Sequence, residues 1–211
     1  MTKLITFSGS VGTGKTYSAK WTRDYLIDSG YAAYYVRYRF ISLRGLFQKK
    51  KLEKTQNLNI KKEKKTGPRN RFAEFNEQRL SLLHFIVYII RGIKLKLFLK
   101  MKYNNDLVIL DRFLFDSLTQ FKLSSIKEKK RADFLIKIFP HPVCAFIMEA
   151  DFEILLNRRK KHSESYISNI SRNYSKLAER LYELNRIDTS MPDKIKNKLK
   201  KTLNSKFPRI K

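Results

Sequence analysis

The sequence has a single cysteine, Cys144, in 211 residues, so no internal disulfide can form and packing alone must hold the fold. That usage fits a reducing, cytoplasmic setting. Acidic side chains are scarce, with 19 Asp and Glu against 46 Lys and Arg, a formal net charge of +27. Such a field attracts polyanions: nucleic acid, anionic lipid or phosphorylated metabolites. Nucleic acid therefore stays open as a partner through the basic surface. A lysine-rich composition with no functional meaning stays an equal alternative, because the lysines are spread widely. Long apolar runs are also missing. The longest, Leu82 to Ile90, is interrupted by His84 and falls far short of the roughly 20 residues a membrane helix needs, so no membrane span is expected. The opening Met-Thr-Lys runs directly into an apolar segment, without the pattern of a secretory signal. What the chain does have is 15 Phe, 11 Tyr and 42% hydrophobic residues, enough for one sizeable core and one domain over 1–211.

Strand and helix signals alternate along the chain. Residues 3–7 read as a buried strand, 16–29 as a helix closed by Gly30, and 32–38 (AAYYVRY) as a second strand. Residues 45–70 are lysine-heavy and poor in large apolar groups, which predicts an exposed, mobile basic insertion. A helical pattern returns over 72–101, with Gly92 a candidate break. Leu107 to Leu110 is a fully apolar strand, 116–138 reads as one helix, and 143–148 (VCAFIM) as a fourth strand. Asp151 opens a helix that runs into Arg158-Arg159-Lys160-Lys161. A helix over 165–184, a short strand over 186–188 and a last helix capped by Ser190, with Pro192 just inside, complete the pattern. Alternation of this kind predicts an α/β fold, a five-stranded parallel sheet covered on both faces.

One motif carries chemistry. Gly9-Ser10-Val11-Gly12-Thr13-Gly14-Lys15-Thr16 matches the pattern GxxxxGK[ST] in full, directly after a strand and at the start of a helix. The glycines let several backbone N–H groups converge on phosphate oxygens, aided by the helix N-terminus. Lys15 reaches the β- and γ-phosphates, and the Thr16 hydroxyl is placed to ligate Mg²⁺. The ATP cradle thus runs from Gly9 to Thr16 and takes in Tyr17. Asp111 follows the apolar strand 107–110, where an acid can hold the magnesium shell, and Arg112 beside it can grip a phosphate by two prongs.

With these features the sequence resembles the thymidylate kinase family of nucleoside monophosphate kinases. The likeness spans nearly the whole chain outside the basic insertion. It rests on the loop at 9–16, on Asp111-Arg112-Phe113, and on VCAFIM followed by an acid and a helix ending in basic residues. It rests further on the segment Arg172 to Ala178 and on Arg186-Ile187-Asp188-Thr189-Ser190. The resemblance implies a P-loop NTPase fold, three-layered α/β/α. It implies that Arg112 binds an acceptor monophosphate together with Phe113, and that Arg37, with Arg39 second, contacts the same phosphate at the end of the second strand. A lid is implied at about 156–168, where Arg158 and Arg159 would close over the transferring group. Thr189 and Ser190 resemble the loop on the adenine side. Pairing of two copies through the long middle helices is implied as well. Departures cluster around the acceptor: Tyr38-Arg39-Phe40-Ile41 replaces Glu-Pro-Gly-Gly, Asp116 replaces a serine, and Val11 replaces an acid inside the loop.

The expected activity is transfer of the ATP γ-phosphate to a nucleoside monophosphate or related phosphorylated small molecule. Lys15, Arg112, Arg158 and Arg159 would be the catalytic groups, with Thr16 and Asp111 at the metal. A phosphate acceptor is already anionic, so His84, His141 and His162 need no role. Two other readings remain: a nucleic-acid-associated P-loop NTPase or polynucleotide kinase using the basic surface, and an ATP-binding relative without transfer activity.

Overall fold

The computed structural model describes residues 2–37, 78–158, 163–181 and 184–208. The segment 45–70, Arg39 and residues 159–162 of the expected lid lie outside them. Five strands, β1 (Lys3–Gly9), β2 (Ala33–Arg37), β4 (Leu107–Asp111), β6 (Cys144–Glu149) and β7 (Leu184–Asp188), form one parallel sheet in the order β2-β4-β1-β6-β7. A second, two-stranded sheet joins β3 (Gln78–Arg79) to β5 (Phe121–Lys122).

Strand periodicity builds two cores from one sheet. On β1, Leu4 faces one side while Ile5 and Phe7 face the other. On β4, Val108 and Leu110 oppose Leu107 and Ile109, and on β6, Ala145 and Ile147 oppose Cys144, Phe146 and Met148. The first face is covered by α2 (Leu82–Lys102), α3 (Leu114–Leu118), α4 (Ile126–Ile138) and α6 (Glu164–Arg180). The second is covered by α1 (Lys15–Asp28) and α7 (Pro192–Lys206). A short α5 (Phe152–Arg158) follows β6. The expected three-layer α/β/α arrangement with five parallel strands is the observed one.

Local signals set the element ends. Helix α1 closes as read from Gly30: with φ of 90° there, Gly30 N–H donates to Ile27 O (2.9 Å) and Tyr31 N–H to Leu26 O (3.0 Å). Five expectations need correction. Within the span read as helical from 72, Gln78–Arg79 is the strand β3 and the helix begins at Leu82, after the N-cap Ser81. Helix α2 runs unbroken through Gly92, because the glycine answers a packing demand and not a chain break: a Cβ there would lie 2.9 Å from the Phe139 ring. The single helix expected over 116–138 is two, α3 and α4, separated by a turn and β5. Ser125 and Glu128 form a reciprocal cap that starts α4 afresh. Helix α6 ends at Arg180, and β7 begins at Leu184, inside the span read as helix. The N-cap of α7 is Met191, not Ser190, whose hydroxyl instead accepts the N–H of Asp151 (3.0 Å) and so ties the end of β7 to the start of α5.

Candidate active site

Parallel register brings the site together. Phe7, Asp111 and Arg37 are level across β1, β4 and β2, so the loop that follows β1 opens beside the carboxyl end of β4, with the end of β2 one strand further on. Glycine is required at two points of that loop. Gly9 approaches β6 so closely that a Cβ would sit 2.2 Å from the Met148 carbonyl oxygen. Gly14 is left-handed (φ 79°) immediately before α1, and its Cβ position is open, with no atom within 4 Å. A side chain there would fill the cradle as well as strain the turn.

Lys15 is only 6% exposed, and its ammonium donates to the carbonyls of Gly9 (2.7 Å) and Ser10 (2.6 Å). Thr13 Oγ1 donates to the same Ser10 carbonyl (2.9 Å), which tightens the turn. The loop thus binds its own cation and keeps it at the cradle. Asp111 is 1% exposed; its Oδ2 accepts the Thr16 hydroxyl (2.7 Å) and the Tyr35 phenol (2.8 Å), with Arg37 Nε at 3.9 Å. Burial, then the hydrogen bond and charge of Asp111, push the Tyr35 hydroxyl up to about 12, so it stays a donor.

Arg112 has φ of 80°, a left-handed conformation that is costly for a side-chain-bearing residue. Its N–H donates to Phe7 O (3.0 Å), which locks the turn to the central strand. Asp116 supports it from below. That carboxylate accepts the Phe113 N–H (2.9 Å) and the buried Tyr174 hydroxyl (2.9 Å), and lies 3.9 Å from Arg112 Nη1. Burial first, and Asp116 second, raise the Tyr174 hydroxyl well above its ordinary range. The acid that stands in place of serine is therefore a satisfied anchor of this turn.

A cavity of about 350 Å³ is lined by Val11, Gly12, Gly14, Lys15, Thr16, Tyr17, Arg37, Arg112 and Arg158. Five of the residues singled out from sequence for chemistry (Lys15, Thr16, Arg37, Arg112 and Arg158) meet there. Arg158 Nη1 donates to Gly12 O at 3.3 Å, across the loop mouth. A second cavity, of about 560 Å³, shares Gly12, Gly14, Tyr17 and Arg158 with the first and is bordered also by Thr189, Ile195, Lys196 and Lys200. The Phe113 ring is elsewhere: it is buried against Phe115 and Phe139 and lines neither cavity. Arg39 and Arg159 lie outside the described residues. Tyr35 is the site residue the sequence reading missed. Its signal was strand alternation, which sets it on the same face as Arg37, two residues on.

The residues fit magnesium. Thr16 and Asp111 are hard oxygen donors, and Asp111 Oδ1 is buried with no hydrogen-bond partner among the described residues. The described residues contain no cluster of three or more metal-ligating His, Cys, Asp or Glu side chains. Mg²⁺ commonly binds to one or two protein oxygens together with substrate phosphates, so two donors suffice.

Sheet order, strand–loop–helix start and the strand-end acid define a P-loop α/β/α fold. Among solved structures the chain is similar to thymidylate kinase from Ehrlichia chaffeensis, with a TM-score of 0.57, 18% identity, and coverage of 96% of this chain and 98% of that one. No family model matches the chain, and no curated protein matches it by sequence. At this identity the likeness is one of fold. No helix among the described residues is long and apolar enough to cross a membrane.

Proposed function

We propose that the chain is an ATP-dependent phosphotransferase that moves the γ-phosphate to a nucleoside monophosphate or a related phosphorylated small molecule. One observation carries this: Lys15, Thr16, Arg37, Arg112 and Arg158 converge on a single cavity beside Asp111. Two arginines from separate strand ends line the same cavity as the loop lysine, which supplies positive charge beyond the loop for a second phosphate.

Phosphoryl transfer passes through a loose, charge-rich transition state, so positioning and charge neutralisation dominate. The loop amides and Lys15 hold the donor tail. Arg37 and Arg112, both at carboxyl ends of strands, hold the acceptor phosphate across the cavity from Lys15. Arg158 reaches over Gly12 and adds positive charge at the transferring group. Magnesium, when bound through Thr16 and Asp111, neutralises charge on the β- and γ-phosphates. The acceptor oxygen is anionic and no side chain has to remove a proton. Tyr17 and Thr189 border the second cavity, where the base of the donor would rest. Two copies would pair through α2, whose outward face is apolar.

The test is incubation with labelled ATP and a panel of nucleoside monophosphates and short oligonucleotides, with Lys15→Ala as control. Label on a monophosphate supports the proposal. Label on oligonucleotide alone favours a polynucleotide kinase, and tight ATP binding without any product favours a binding-only relative. Transfer that survives Lys15→Ala overturns the assignment of the cradle.

A further inference from the structure

The Asp111 carboxylate is held on one oxygen only. Oδ2 takes both hydroxyl donors, Thr16 at 2.7 Å and Tyr35 at 2.8 Å, while Oδ1 is buried and has no hydrogen-bond partner among the described residues. Leaving a buried carboxylate oxygen unmatched is costly unless something else uses it. Two donors on one oxygen restrain the rotation of the group and hold it against Thr16.

The two donors are not equivalent. Thr16 sits in the first turn of α1, where the loop ends, and its oxygen is also the atom offered to a cation. Tyr35 comes from β2, where the ladder sets it opposite Ile109 and sets Arg37 opposite Asp111. Its ring packs against the core beneath α1, with the Lys20 ammonium 5.9 Å from the ring centre. Sheet pairing therefore places the phenol independently of whatever occupies the cradle.

We propose that Tyr35 is a positioning residue for Asp111: its hydroxyl shares Oδ2 with Thr16 and so holds the carboxylate in the orientation that serves the magnesium shell of the bound nucleotide beside Thr16. This rests on the reading of Thr16 and Asp111 as the metal side of an ATP site. In that role Tyr35 touches neither nucleotide nor cation.

ATP titrated calorimetrically into wild type and Tyr35→Phe, each with excess Mg²⁺ and with EDTA, tests it. In wild type, Mg²⁺ should strengthen ATP binding. Tyr35→Phe should lose about tenfold of that gain, the scale of one hydrogen bond to a charged acceptor, while metal-free affinity stays within about twofold. A merely structural tyrosine would weaken both titrations alike, and that outcome overturns the inference. So does a Tyr35→Phe protein that keeps the full magnesium gain. Wild-type binding indifferent to Mg²⁺ would sink the metal reading of Thr16 and Asp111 as well, which separates the two failures.

Discussion

Arg112 joins backbone strain to chemistry in one residue. Its φ of 80° puts a side-chain-bearing residue where glycine is at ease, at a cost of about 1 kcal/mol or more. The cost is met by its N–H bond to Phe7 and by the Asp116 anchor. Arg112→Gly relieves the strain and adds chain entropy to the unfolded state, two effects of similar size. The expected result is stability within about 1 kcal/mol of wild type in denaturant melts, with transfer reduced on the order of a hundredfold or more. A large stability loss instead would make the guanidinium chiefly structural. At this scale the sequence was most legible where chemistry is encoded by adjacency: the loop, the strand-end Asp111 and its neighbour Arg112. It was least legible where partners meet only through the sheet. Tyr35 lies 76 positions from Asp111, and only the strand register shows the contact. Phe113 shares a motif with Arg112 yet points into the core, because the left-handed turn at Arg112 ends the strand and Phe113 starts the next helix as its N-cap.

Helix α2 is pinned by contact where a sequence reading sees a weak point. Gly92→Ala would ordinarily favour a helix by about 1 kcal/mol. Here the new methyl meets the buried Phe139 ring at 2.9 Å and Ile138 at 3.1 Å, so net destabilisation of about 1–2 kcal/mol is expected in thermal or denaturant melts. Helix α4 makes a pH prediction. The N–H of Ser125, followed by the other donors of Ser124 and Ser125, holds the Glu128 carboxyl below its ordinary range. A carboxyl depressed in the folded state contributes its stability above the unfolded value and loses it as pH falls through the folded one. Glu128→Gln should therefore lower stability at neutral pH and flatten its decline on acidification between those two values. An acid limb identical to wild type would count against the cap. The Ser125-x-x-Glu128 signature was present in the sequence, but 116–138 was read as one helix straight across it. The intervening turn is fixed by pairing of β5 with β3, a contact no local pattern announces.

Over the whole molecule, charge and an apolar face compete. Leu82, Leu83, Ile86, Ile90, Ile93, Leu97 and Met101 are exposed along α2, at helical spacing and opposite the buried Tyr88, Leu95 and Leu99. The helix carries no acid, and Lys94, Lys96 and Lys100 stand exposed along it. If two copies pair through this face, screening of like charges should tighten association as salt rises, and Ile90→Glu should abolish it in sedimentation equilibrium. Binding to nucleic acid would weaken over the same salt series. The layered architecture was readable from alternation and apolar runs alone, whereas the order of the strands was not, since nothing local says which strand becomes central. That order has a temporal side. Strand β1 lies between β4 and β6, and both are made long after it. A ribosome therefore releases the loop well before either wall of its binding cleft exists. Until Glu149 has emerged, the nascent chain carries the motif without the walls of its cavity, so under the proposed function nucleotide would join the protein only as a late arrival.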